Sequence, residues 1–159
     1  MKCKSNRRPS EYEIRRGNKM CLIIFSTNVK ENTVTNDEGE SETEYDYDRY
    51  ELIVPYRDTL EQDVKSQPEK WLEKAKQNEI DILSSEIRNK RNELLAESDS
   101  AFCIDRIFND MSNISTTALS AKFKELANSD IAKYRQQLRD IPQQDGFPYN
   151  VTFPAKPEM

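Results

Sequence analysis

The chain has no histidine among its 159 residues, only three glycines, and three cysteines far apart in sequence. Without imidazole, the commonest general base, pH switch and metal ligand is missing. A catalytic set would have to come from tyrosine, lysine and carboxylates, and no motif groups them. Gly17, Gly39 and Gly146 each fall where a turn is expected, in RRGNK, NDEGES and QQDGFP. None is left for a phosphate cradle. The patterns GxGxxG, GxxxxGK(S/T) and GxSxG are all absent, which removes the nucleotide-binding and serine-hydrolase readings. Cys3, Cys21 and Cys103 are odd in number and have no pair at metal-ligand spacing, so they read as reduced, structural thiols. No apolar run approaches the ~18 residues that span a bilayer, and MKCKSNRRPSEYE has no signal-peptide core. The expectation is a protein of the cytoplasm that uses no membrane, catalytic residue, cofactor or metal.

What is present is charge. Charged residues make up 33% of the chain against 35% hydrophobic, with a net charge of -5, so there is room for one modest core and some extensions. Residues 1 to 19 carry Lys2, Lys4, Arg7, Arg8, Arg15, Arg16 and Lys19 against Glu11 and Glu13. That basic run raises a nucleic-acid reading, but the acidic whole and the lack of any binding fold or stacking set argue against it. The opposite extreme is DEGESETEYDYD, with seven carboxylates and no basic residue. Its spacing does not match an EF-hand loop, so a solvated hairpin arm is expected rather than a calcium site.

The hydrophobic period changes once. EYEIRR, KMCLIIFSTNV and YDRYELIVPYR read as strands of an antiparallel meander, with Gly17-Asn18 supplying the positive φ values of a tight hairpin. In the third strand Tyr45 and Tyr47 have one parity, and Tyr50, Leu52, Val54 and Tyr56 the other. The apolar face therefore switches near Arg49, where a one-residue bulge or two-sided burial would reconcile the sets. Asp58 reads as a helix N-cap with Glu61 behind it, and Pro68 as the first residue of a long amphipathic helix reaching about Glu97. Such a helix would be about 45 Å long at ~1.5 Å per residue, so part of it must project, pair with another helix or meet a partner. SAFCIDRIF suggests a short helix and DMSNISTT a linker. ALSAKFKELANS and SDIAKYRQQLRDI give two further helices, the second with a stripe of Ile131, Tyr134, Leu138 and Ile141 that Pro142 ends.

In the tail, Phe147, Tyr149, Val151 and Phe153 alternate with Pro148, Asn150, Thr152 and Pro154. An extended chain would put every large apolar group on one face, while its prolines spare one hydrogen-bonding edge and blunt the other. Such a tail cannot be a central strand. It can dock back on its own body or add to a partner's edge, and the pattern leaves both open.

Two stretches, RNKRNELLAESD and YRQQLRDIPQQDGFPYNVTFPAKP, resemble the C-terminal signature of the bacteriophage tail assembly chaperone family. Arg91, Leu94, Leu95, Asp99, Tyr134, Arg135, Leu138, Gly146 and Phe147 are among the positions on the pattern. Ser100 and Phe153 stand where the family's pattern has tryptophans. The resemblance implies a non-enzymatic phage protein that binds another tail or tail-fibre protein and assists assembly. A permanent adaptor or fibre-anchoring subunit of the virion tail is the other reading. It implies a location in the host cell cytoplasm or the virion tail, and leaves homo-oligomerisation open. The expected partner-binding residues are Tyr134, Arg135, Leu138, Arg139, Phe147, Tyr149, Val151 and Phe153. The expected fold is α+β: a small β-sheet domain of about three strands with a basic N-terminus over 1–57, a long helical segment over 58–98, and a chaperone-like helical region with an extended tail over 99–159.

Overall fold

The computed structural model describes residues 1–35, 39–99, 103, 109 and 115–157. The fold is α+β, as expected. Strands β1 (Lys2–Ser5), β2 (Tyr12–Arg16), β3 (Met20–Thr35) and β4 (Ser41–Pro55) form an antiparallel sheet in the order β1-β4-β3-β2. Helices α1 (Leu60–Ser66), α2 (Pro68–Glu97), α3 (Thr116–Ala127) and α4 (Asp130–Asp140) follow, and a 3-10 turn over Ile141–Gln143 ends α4. The chain forms two compact units, Met1–Asp81 and Ile82–Met159, so α2 contributes its first part to one and the rest to the other.

The meander has a fourth strand. About three strands are expected, and Lys2–Ser5 of the basic N-terminus adds one more by pairing with Tyr45–Asp48 of β4. Three cations of the basic run over residues 1 to 19 are ion-paired: Lys4 bonds Glu44 at 2.6 Å, Arg15 bonds Glu13 at 2.8 Å, and Arg16 bonds Glu61 at 2.7 Å. The acidic stretch is part of a hairpin, as expected, and over its described residues the hairpin is regular. From Ser41 it is strand, paired residue for residue with Lys30–Thr35, and Asn32 donates to Asp46 while Asn28 donates to Asp48.

The bulge exists, but on the neighbouring strand. Thr27 faces Asp48 and Lys30 faces Asp46, so β3 carries the extra residue, with Asn28 at φ 52°. An extra residue in one strand switches the face its later side chains occupy. β4 itself runs without interruption, so Tyr45 and Tyr47 point away from the face of Tyr50, Leu52 and Val54. Gly17 also differs from expectation. Among the described residues, positive φ occurs at Asn28, Gly39 and Gly146, not at Gly17 or Asn18. Glycine is required at 17 for space, since its N–H bonds the Met20 carbonyl and an added Cβ would stand 2.9 Å from that oxygen.

One face of the sheet builds the first core. Cys21, Ile23 and Phe25 of β3 pack with Leu60 and Val64 of α1 and with Trp71 and Ala75 of α2. Asp58 does not cap α1. It accepts the Tyr56 hydroxyl at 2.8 Å, and the N-cap is Thr59, whose side chain bonds Asp63 instead of a backbone N–H. Helix α2 begins at Pro68 with Glu69 in its first turn and ends at Glu97, as the sequence predicts. Ser115 and Ser129 cap α3 and α4, accepting from Ala118 and Ala132. The short helix expected in SAFCIDRIF lies outside the described residues, Cys103 excepted. Among the described residues no helix is long and apolar enough to cross a membrane.

Candidate functional site

The second unit is built on the stripe of α4. Tyr134, Leu138 and Ile141 recur at helical spacing and are buried, Leu138 and Ile141 completely. Ile87, Leu94 and Leu95 from the second part of α2 pack against them on one side. Phe147, Val151 and Phe153 of the tail close the cluster on the other. The late turns of α2 therefore pair with another helix, one of the outcomes its length required.

A single guanidinium ties the end of α2 to α4. Arg135 Nη1 donates to the Leu95 carbonyl at 2.9 Å and to the Ser98 hydroxyl, and Nη2 bonds Asp99 at 2.8 Å. Ser98 is fully buried and donates its own hydroxyl to the Leu95 carbonyl at 2.7 Å. These groups bond the Leu95 carbonyl in the last turn of α2, and Arg135 places positive charge at the negative end of the helix dipole.

The tail turns before it runs on. Gly146 has φ 85°, and its carbonyl accepts from Tyr149 and Asn150, which folds Gly146–Asn150 into a tight turn containing the cis Phe147–Pro148 bond. An added Cβ at 146 would meet Asn150 Cβ at 3.2 Å. The turn buries Pro148 and leaves Tyr149 60% exposed, so the alternation holds for Phe147, Val151 and Phe153 and fails at Tyr149. No described residue of the tail is in a β-strand. In place of a neighbouring strand, the Gln144 side chain donates to the Thr152 carbonyl and accepts from the Thr152 N–H, both at 2.8 Å. The clasp holds the extended run just before Pro154, which has no N–H of its own to offer. Cations sit over the tail aromatics, Arg88 5.6 Å from the Phe147 ring and Lys90 4.6 Å from that of Phe153. Lys156 bonds Glu97 at 3.0 Å.

The eight sequence-expected residues thus gather in one region but play unlike parts. Tyr134 and Leu138 are interior, and Arg135 is engaged with the end of α2. Phe147, Val151 and Phe153 are half-buried, while Arg139 and Tyr149 are exposed. Gln144, Arg88 and Lys90 carried no signal in the sequence. A glutamine eight residues before a threonine acts as a clasp only after the Gly146 turn has brought them together, and two cations on a charged helix look like any others. Among the described residues no group of three histidine, cysteine or acidic side chains is arranged to hold a metal ion.

No curated protein and no solved structure matches the chain. The match that exists is to a family. The model of the family described as phage tail assembly chaperone protein matches residues 84–158, just under half of the chain, and it takes in the later turns of α2, both C-terminal helices and the tail. The resemblance read in the sequence is thereby borne out over 84–158, the segment that is similar to the phage tail assembly chaperone family.

Proposed function

We propose that this chain is a non-enzymatic phage protein that binds another tail or tail-fibre protein and assists tail assembly in the host cytoplasm. The observation that carries the reading is the family match over 84–158, which covers almost all of the second unit, including the buried Tyr134–Leu138–Ile141 stripe and the tail docked on it. Within that unit the eight residues divide the work. Tyr134, Arg135 and Leu138 hold the surface in shape from beneath, and Arg139, Tyr149 and the outer sides of Phe147, Val151 and Phe153 meet the partner. An exposed tyrosine in the same turn as the half-buried Phe147, with an exposed arginine on the helix before it, has the composition of an interface centre, since aromatic and arginine anchors carry most of the energy of binding.

The test is co-expression with the phage's tail and tail-fibre proteins, followed by affinity capture through a tag on this chain. Tyr149→Ala and Arg139→Gln should each lower capture at least tenfold while the fold is retained and the melting temperature falls by only a few degrees, because neither side chain lies in the core. Equal capture by both variants sinks the assignment of the surface. A stoichiometric band of this chain in purified virions would replace the assembly role by that of a permanent tail subunit.

A further inference from the structure

Strand β1 accompanies β4 only as far as Arg49. There the Arg49 N–H donates to the Met1 carbonyl at 2.7 Å and the Met1 amine donates to the Arg49 carbonyl at 3.0 Å. Alternate residues of a strand direct their N–H and C=O to opposite edges, so Glu51 and Ile53 share the direction of Arg49, away from β3. Among the described residues no strand lies beside them. The Glu51 carbonyl has only the Asn78 side-chain amide at 3.3 Å, and Pro55 ends the edge without a donor. The Ile53 side chain is 64% exposed.

Facing this edge runs the first part of α2, antiparallel to β4. Trp71 lies near Val54 and Arg57, Asn78 reaches Glu51, and Glu79 bonds the Met1 amine at 2.8 Å. Between them lies a groove floored by Leu52 and Val54 and walled by Trp71, Lys74, Gln77 and Asp81. Its two ends carry opposite charge. Arg57 and Lys74 both stand over the Trp71 ring, at 5.6 and 4.4 Å from its centre. Arg57 is ion-paired with Asp63, while Lys74 has no carboxylate partner among the described residues. At the other end Asp81 receives a Gln77 amide N–H at 2.9 Å.

We propose that this groove takes an extended peptide segment of another polypeptide, added to β4 as an antiparallel strand with an acidic residue at the Trp71–Lys74 end and a basic one at the Asp81 end. The open N–H groups of Glu51 and Ile53 supply main-chain bonds. The apolar floor selects β-branched side chains on the inward face, and the charge gradient fixes the direction of the segment. At ~3.3 Å per residue the exposed edge from Glu51 to Pro55 takes a core of about five residues. The groove lies wholly before residue 84, so it is separate from the surface proposed above and stands or falls without it.

The experiment uses isotope-labelled full-length protein and two capped synthetic peptides, acetyl-Glu-Val-Thr-Val-Thr-Val-Lys-amide and its counterpart with the two end charges exchanged. The first should give saturable shifts at the amides of Glu51, Ile53 and Trp71 to Asp81. Lys74→Glu should weaken the first peptide about threefold to fivefold and strengthen the exchanged one by a similar factor, the range of a partly exposed ion pair. Ile53→Pro, which removes an edge donor, should abolish the shifts. If Ile53→Pro unfolds the sheet, the charge exchange at Lys74 still decides. Unshifted Glu51 and Ile53 amides at millimolar peptide, or equal affinity of both peptides for the native chain and for Lys74→Glu, would overturn the proposal.

Discussion

Gln144 holds Thr152 by both ends of its amide, donating to the carbonyl and accepting from the N–H at 2.8 Å each. The pair reproduces with one side chain what a neighbouring strand would do for a single residue. Gln144→Ala should therefore loosen residues 151–157 and leave the α4 stripe in place. Hydrogen exchange at the Thr152 amide should rise at least tenfold, with a loss of about 1 kcal/mol in overall stability, the usual net value of exposed hydrogen bonds. An unchanged Thr152 exchange rate would mean that Phe147, Val151 and Phe153 alone hold the tail.

Arg135 holds three groups at the end of α2, the Leu95 carbonyl, Ser98 and Asp99. Arg135→Ala removes the ion pair with Asp99 and leaves a fully buried Ser98 with one partner fewer. The expected cost is about 2 to 3 kcal/mol by chemical denaturation. Arg135→Lys should recover less than half, because an ammonium cannot reach the Leu95 carbonyl, Ser98 and Asp99 with one planar fork. Full recovery by lysine would show that charge alone matters there.

Leu138 is completely buried between α2 and the tail. Leu138→Ala should cost about 2 to 5 kcal/mol through lost transfer energy and the cavity left behind. A calorimetric scan should show the loss, and a change under 1 kcal/mol would mean that the tail collapses into the space.

Glu13 accepts from Arg15 Nε at 2.8 Å and Nη2 at 3.2 Å, and this hydrogen-bonded pairing, with Arg49 a lesser contributor, holds its carboxyl below the ordinary range. A folded-state value below the unfolded one gives a contribution that is present above the unfolded value and is lost as the pH falls through the folded one. The pair is exposed, so the effect is small and should fade in high salt. A carboxyl titration by NMR should show the Glu13 midpoint rising in Arg15→Ala, and an unmoved midpoint would refute the pairing in solution.

Those local pairs mark where the sequence was and was not legible. The stripe of Tyr134, Leu138 and Ile141 and the start of α2 at Pro68 are periodic or carried by one residue's chemistry, and the structure bears them out. Strand β1 escaped because its four residues, KCKS, have no apolar alternation and become strand only against Tyr45–Asp48. The bulge was visible as a parity conflict in β4, but relief by an extra residue in β3 depends on pairing that one strand cannot report. In the candidate site, alternation located Phe147, Val151 and Phe153 against the core. It could not foresee that the Gly146 turn would leave Tyr149 outside.

The extra residue of β3 also determines where this protein tolerates a change of length. Removing Asn28 would restore plain pairing at the root of the ribbon and leave Lys30 through Thr35 opposite their present partners, whereas removing both Asn28 and Val29 would slip the register by one and turn Lys30 through Thr35 to the opposite faces. Residues added between Thr35 and Ser41 shift no pairing behind them. Such a ribbon should thus vary freely in span at the hairpin's far end and keep its pairing register at the base, and the far end is the place to graft an epitope or a label.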